Sequence, residues 1–106
     1  MEKLDMLYIR VGRKPERIKL DNTLEALNKA VDGHLQVFFP SYNDRVVFIM
    51  NEEGKYNGSL PNRRIYDERG YNPDVIFGDF LVSGFDGEEF ASLPDDMMDK
   101  YERIFS

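Results

Sequence analysis

Runs of strand-forming residues outnumber helical segments along this chain and do not alternate with them. The order is two strands, a helix, two strands, a long polar segment, one or two strands and a final helix, or ββαββ(loop)ββα. Strands that alternate with helices are typical of parallel doubly wound sheets, so their absence favours antiparallel pairing. The pattern predicts an α+β fold, with a mostly antiparallel sheet of about five to six strands and two helices on one face. The other face of that sheet is a candidate contact surface.

The strands are predicted from alternating or continuous apolar runs. Residues 4–11 and 17–20 form a hairpin, 35–39 is the third strand, and the apolar run 45–50 suits the sheet centre. Residues 75–77 and 80–83 are either two strands or one strand bent at a bulge near Gly78.

The first helix is predicted to begin with a capping box, in which Asn22 is the cap and Glu25 lies three residues later. Leu24, Leu27, Ala30 and Val31 fall at helical spacing on one face, and Gly33 is the expected left-handed stop. The final helix begins near Leu93–Pro94. Its buried stripe is Met97, Tyr101, Ile104 and Phe105.

A chain of 106 residues fits a single domain spanning 1–106. The chain contains no cysteine, which excludes disulfides and thiolate metal sites. No charged apolar leader opens it and no apolar run approaches the ~20 residues that cross a bilayer. We therefore expect a soluble cytoplasmic protein with no membrane association.

The net charge of −6 is unevenly spread. Residues 1–20 hold six basic and three acidic side chains (+3), and residues 86–106 hold two basic and seven acidic ones (−5). The acidic end supplies a candidate face for a protein partner, formed by Glu88, Glu89, Asp95, Asp96 and Asp99. The alternative, which we favour, is a solvated surface with acids placed near the start of a helix.

The polar segment Asn51–Asn72 is longer than the ~12–15 residues that compact domains leave without structure. Its asparagines and glycines predict consecutive turns with side-chain-to-backbone hydrogen bonds, as in a folded Ω-type loop. Leu60, Ile65 and Tyr66 would hold this loop on the sheet. It is either part of the scaffold, which we slightly favour, or a binding loop. The candidate binding residues are Asn51, Lys55, Asn57, Asn62, Arg63 and Arg64.

Arg63 and Arg64 form the best anion-binding candidate, since neighbouring guanidinium groups can grip phosphate or carboxylate. The alternative is that one arginine stacks on Tyr56 or Tyr66 and pairs with Asp67 or Glu68. We favour this alternative, because small arginine clusters more often form surface ion pairs.

No catalytic constellation is evident. His34 is the only histidine, and its position after Gly33 indicates a structural role at the end of a helix. The carboxylates match no defined metal loop and no glycine-rich phosphate signature occurs. We expect no enzymatic activity, no metal and no cofactor. The basic hairpin (Arg10, Arg13, Lys14, Arg17 and Lys19) lacks the features of nucleic-acid modules, so nucleic acid is not the expected partner.

Four segments together resemble a known family. They are Asp21–Leu27, Asn51–Lys55 running into Pro61–Arg63, Asp74–Phe80, and Gly87–Phe90 before Ser92–Leu93. This order is similar to that of the domain of unknown function thirty-eight forty-six, and the similarity covers nearly the whole chain. The resemblance implies an accessory product of a bacterial phage, prophage or conjugative element, and it transfers no catalytic residues.

Two functions follow as hypotheses. The first is a non-enzymatic protein that binds a host or element-encoded protein, for example to counter a host defence. The second is a small-molecule, nucleotide or phosphate-binding domain that uses the segment 51–66. An exposed sheet face is also compatible with a homodimer.

Overall fold

The computed structural model describes residues 2–40, 45–66 and 74–106. Two helices accompany eight strands in this part of the chain. The strands are β1 (Lys3–Ile9), β2 (Glu16–Asp21), β3 (Leu35–Phe38), β4 (Val46–Asn51), β5 (Pro61–Ile65), β6 (Asp74–Phe77), β7 (Phe80–Phe85) and β8 (Phe90–Ala91). The helices are α1 (Leu24–Val31) and α2 (Asp95–Ile104). The predicted α+β class is confirmed.

A six-stranded antiparallel sheet forms the centre of the fold. Its strand order is β2-β1-β7-β4-β3, and β8 pairs with the end of β7. The predicted β1–β2 hairpin is confirmed, with Met6 opposite Ile18. The interior strands β4 and β7 are almost wholly buried, which explains their continuous apolar sequence.

The chain from 74 to 85 forms two strands in two different sheets. β6 pairs with β5 in a separate two-stranded sheet, while β7 lies inside the main sheet. The connection turns at Gly78, whose φ of 84° lies in the left-handed region that favours glycine. Gly78 N also donates to Leu60 O at 2.8 Å, which links this turn to the start of β5.

The two helices pack on opposite faces of the main sheet, which corrects the prediction that both cover one face. The face under α1 has a core of Leu4, Met6, Val47, Ile49 and Leu81. The face under α2 has a core of Leu7, Ile9, Val46, Phe48, Phe80 and Val82. Successive side chains of a strand point to opposite faces, so a strand buried throughout needs cover on both sides. We call these the α1 face and the α2 face.

An aromatic cluster fills the α2 face. Phe48 lies between Phe80 and the helix residues Tyr101 and Phe105, with ring centroids 5.5–5.8 Å apart. Edge-to-face packing of this kind adds to the gain from burial. The small β5–β6 sheet completes the cover of this face through Ile65 and Ile76.

The boundaries of α1 differ from the prediction by one residue at each end. Thr23, not Asn22, is the N-cap, and its Oγ1 accepts a hydrogen bond from Ala26 N. The left-handed stop is Asp32 with φ 60°, one residue before Gly33. Threonine accepts a cap hydrogen bond as asparagine does, and aspartate tolerates the left-handed conformation that glycine adopts freely. Local sequence therefore does not decide between these neighbours.

The buried stripe of α2 is Met98, Tyr101 and Phe105, whereas Ile104 is mostly exposed. Met97 is only partly buried at the margin of the core. The prediction was therefore wrong for Ile104 and shifted by one residue at the methionines. Neither described helix is long and apolar enough to cross a membrane.

Replacing Phe48 with alanine should lower the free energy of unfolding by about 3–5 kcal/mol, because it removes the ring at the centre of the aromatic cluster. Phe39→Ala is the matched control, since its ring is about half exposed and should cost much less. Urea unfolding followed by circular dichroism measures both values. Equal losses for the two variants would contradict this description of the core.

Candidate functional site

The predicted binding segment contains ordered turns followed by a strand. Residues 52–58 form turns directly after β4, and β5 then pairs antiparallel with β6. Ile65 is buried, but Leu60 and Tyr66 are exposed, so only one of the three predicted anchors holds the segment to the core. The end of the segment, including Asp67 and Glu68, lies outside the described residues.

Asn51 fixes the start of this segment to the end of α1. Its Nδ2 donates to Val31 O and Asp32 O at 3.0 Å each, and its Oδ1 accepts from Glu53 N at 2.7 Å. The side chain therefore satisfies two carbonyls near the end of the helix. The predicted side-chain-to-backbone bonding is confirmed here, and it serves the scaffold.

Asn62 has the same kind of role at the other end of the segment. Its Nδ2 donates to Ile9 O and Gly78 O at 2.9 Å each. Ile9 ends β1 and Gly78 is the turn between β6 and β7. One carboxamide thus joins the small sheet to the end of β1 and to the β6–β7 turn.

The Arg63 guanidinium is directed into the protein rather than into a cleft. Its Nε donates to Phe105 O at 2.9 Å, and its terminal nitrogens donate to Arg13 O and to Asn62 Oδ1. These acceptors belong to the C-cap of α2, the β1–β2 turn and β5 itself. Hydrogen bonds from a charged donor are among the stronger ones in proteins.

Arg64 is exposed, and no hydrogen bond or ion pair joins its side chain to another described residue. Adjacent residues of a strand point to opposite sides, so Arg63 and Arg64 do not converge on one anion. Asn57 caps an exposed turn, accepting from Ser59 N at 3.0 Å. The structure thus does not bring all six predicted residues together in one site.

Asn51 and Lys55 do line a common groove of about 270 Å³ between the end of the β3–β4 pair and the small sheet. Lys55 Nζ lies 2.6 Å from Asp74 Oδ1, and this hydrogen bond holds the pKa of Asp74 below its ordinary value. Tyr56 lies almost fully exposed at the rim. Phe38, Met50, Ile65 and Ile76 supply the apolar lining.

The acidic residues fall into two exposed pairs. Glu88 and Glu89 lie on the β7–β8 turn, where both backbone N–H groups donate to Asp86 Oδ1 at 2.9 Å and hold the pKa of Asp86 below its ordinary value. Asp95 and Asp96 occupy the first turn of α2, a favourable position for negative charge. No ion pair neutralises these four carboxylates within the described part of the chain.

Asp99 belongs to a different arrangement. Arg17 Nη2 lies 2.7 Å from Asp99 Oδ1, and Arg17 Nε lies 2.9 Å from Glu102 Oε2. This pairing holds the pKa of Glu102 below its ordinary value and raises that of Arg17. Arg10 and Lys19 pair with Glu16 and Asp5. Acidic side chains thus balance much of the positive charge of the basic hairpin. The Arg17 pairs could not be predicted, because Asp99 and Glu102 lie far from Arg17 in the sequence.

The carboxylates and the histidine of the described ranges are the remaining candidates for metal or catalytic chemistry. No group of three or more histidine, aspartate or glutamate side chains there is placed to hold a metal ion. Asp79, one of the carboxylates considered from the sequence, accepts from Val11 N at 2.9 Å. His34 is exposed just beyond α1, where its carbonyl accepts from Glu52 N.

One exposed feature was missed from the sequence. Phe39 lies at the open end of the α1 face, with its ring centroid 5.1 Å from that of Phe85, which in turn contacts Phe90. The available signal was the predicted strand 35–39, which carries no charged side chain. The structure places β3 at a sheet edge.

The fold and the site define a small α+β protein in which a six-stranded sheet carries one helix on each face and a two-stranded sheet is bound to it by polar side chains. The chain belongs to the family described as Domain of unknown function (DUF3846), whose model matches residues 3–106. No curated protein and no solved structure matches the chain.

Arg63→Lys should lower the free energy of unfolding by about 2 kcal/mol, because an ammonium group cannot reach the same set of acceptors. Arg64→Lys makes the same chemical change at the next, exposed position and should cost less than about 0.5 kcal/mol. Urea unfolding of both variants gives the comparison. Arg63 would not have the described role if the two substitutions cost the same.

Proposed function

We propose that this protein is a non-enzymatic binding protein that acts on a basic surface of another protein. The observation that carries this proposal is the group of four exposed carboxylates, Glu88, Glu89, Asp95 and Asp96, none of which forms an ion pair with a described residue. The predicted acidic face had five residues. Asp99 pairs with Arg17, so the other four remain. We call them the open acidic residues.

The position of the open acidic residues supports a docking role. Glu88 and Glu89 lie at the tip of the β7–β8 hairpin. After β8, the chain runs beside β1 and then enters α2. Leu93 N donates to Asp5 O at 2.8 Å, which fixes this path against the sheet. A rigid support lets charged side chains bind a partner with little ordering cost.

The open acidic residues could attract a basic partner through electrostatics, without a binding pocket. A net charge of −6 steers a basic partner toward the protein and repels phosphate backbones. The biological setting that we propose is the one that the family resemblance implied, an accessory product of a phage or mobile element in the bacterial cytoplasm. A basic surface on a host or element-encoded protein would be its target.

Neutralising the open acidic residues together should abolish capture of the partner. The variant carries Glu88→Gln, Glu89→Gln, Asp95→Asn and Asp96→Asn. The control removes four other exposed acids, with Glu25→Gln, Asp32→Asn, Glu52→Gln and Glu53→Gln. Both variants change the net charge from −6 to −2, so only the location of the charge differs.

Affinity purification from bacterial host lysate, followed by mass spectrometry, provides the measurement. We expect a basic partner at low salt that is lost with the four-site variant, retained by the control and weakened by added salt. No specific partner at low salt would contradict the proposal. Equal retention by the wild type and the four-site variant would also contradict it.

A second candidate is a small-molecule, nucleotide or phosphate-binding site in the groove lined by Asn51, Lys55 and Tyr56. A ligand at about 100 times its dissociation constant adds about 2.7 kcal/mol to stability. If the groove binds such a ligand, thermal-shift screening with nucleotides and inorganic phosphate should give a shift that Lys55→Met removes and Lys29→Met leaves intact. Absence of any shift across the panel would eliminate this candidate.

A further inference from the structure

The two edges of the main sheet differ in charge. At one edge, β2 carries Glu16, Arg17, Lys19 and Asp21. At the other edge, β3 and the following Phe39 carry no charged side chain. Charged side chains on an edge strand prevent pairing with another strand, so β2 is protected in this way and β3 is not.

Backbone groups of β3 are available at its outer side. Glu52 N donates to His34 O at 2.9 Å, so His34 faces β4. Hydrogen bonding alternates along an antiparallel strand, and the N–H and C=O groups of Leu35 and Val37 therefore point away from β4. Continuing the same alternation by one residue beyond β3 gives Phe39 the same orientation. Leu35 N donates to Asn28 Oδ1 at 3.1 Å, which agrees with this orientation.

The side chains on the same edge present an apolar surface. Val37 is 38% exposed and Phe39 is 48% exposed, and both lie on the α1 face because Val37 is opposite Ile49. Phe39 packs against Phe85, so the apolar surface continues from the edge into the sheet.

We propose that β3 pairs in antiparallel fashion with β3 of a second copy of this chain, about a two-fold axis at Val37. The N–H and C=O of Val37 would bond the same groups of the other copy, and Phe39 N would bond Leu35 O of the other copy. Leu35, Val37 and Phe39 would then oppose Phe39, Val37 and Leu35, giving three apolar cross-strand pairs.

A second copy suits this edge better than a basic partner does, because residues 35–39 carry no charged side chain. Two chains that each carry −6 meet most easily through a surface with no carboxylate, and residues 35–39 provide one. A basic partner would meet no carboxylate within residues 35–39. The proposed dimer contacts use none of the open acidic residues, so each proposal can fail without the other.

The short strand limits the strength of this dimer. A ladder of about five residues buries less than the ~1,200–2,000 Å² of stable interfaces. The proposal therefore predicts a reversible dimer whose population rises with protein concentration.

Sedimentation velocity at concentrations from about 10 µM to about 1 mM tests the proposal. We expect the wild type to shift from monomer to dimer. Val37→Lys places like charges opposite each other and should weaken association at least about tenfold. Leu24→Lys adds the same charge at a position on α1 that is 66% exposed, and it should change association less than about twofold.

Amide hydrogen exchange of the wild type supplies a test that needs no substitution. Val37 and Phe39 amides should exchange more slowly at high protein concentration, whereas β2 amides should not change. A wild type that stays monomeric would overturn the dimer and leave the β3 edge to a strand of a different protein. The dimer would also be overturned if both lysine variants weakened association equally. The same holds if the exchange rate of the Val37 amide did not change with protein concentration.

Discussion

The contacts of Asn62 and Arg63 are the constraint on which the rest of this structure depends. From neighbouring positions of β5, the two side chains reach backbone carbonyls of Ile9, Gly78, Phe105 and Arg13. A partly buried carbonyl without a donor costs free energy, so these contacts hold β1, the β6–β7 turn and the end of α2 in one arrangement. The aromatic cluster on the α2 face includes Phe105, whose carbonyl is one of these acceptors.

This internal use of polar groups changes where function is sought. Asn51, Asn62 and Arg63 are three of the six binding residues predicted from the sequence, yet each bonds to the protein's own backbone. The groups left for a partner lie elsewhere. They are the open acidic residues and the uncharged β3 edge, which differ in chemistry and so suit different partners.

Local sequence predicted six of the eight strands and both helices because their signals are short-range, whereas β5, inside the segment predicted as a loop, and the two-residue β8 were missed. The β1–β2 hairpin follows from alternation and a turn, and α2 follows from its proline and acidic first turn. The helix faces were not predicted correctly, although the apolar run Val46–Ile49 contained the needed signal. A strand buried on both sides requires cover on both sides, and one helix on each face supplies it.

The long-range contacts could not be predicted from the sequence. Arg63 meets acceptors 42 and 50 residues away, and Arg17 meets acids more than 80 residues away. Nothing in the sequence near either arginine distinguishes an inward guanidinium from a free one. The preference for a scaffold role of the segment rested on its asparagines, whose bonding pattern is local and was predicted correctly for Asn51 and Asn57.

Native-state amide hydrogen exchange tests most directly whether the small sheet is fastened to the main sheet. If the contacts of Asn62 and Arg63 join them into one cooperative unit, the slowest amides of β5 and β6 should open with nearly the same free energy as those of β1 and β7. Opening of β5 and β6 at a much lower free energy, while β1 and β7 stay protected, would contradict this account.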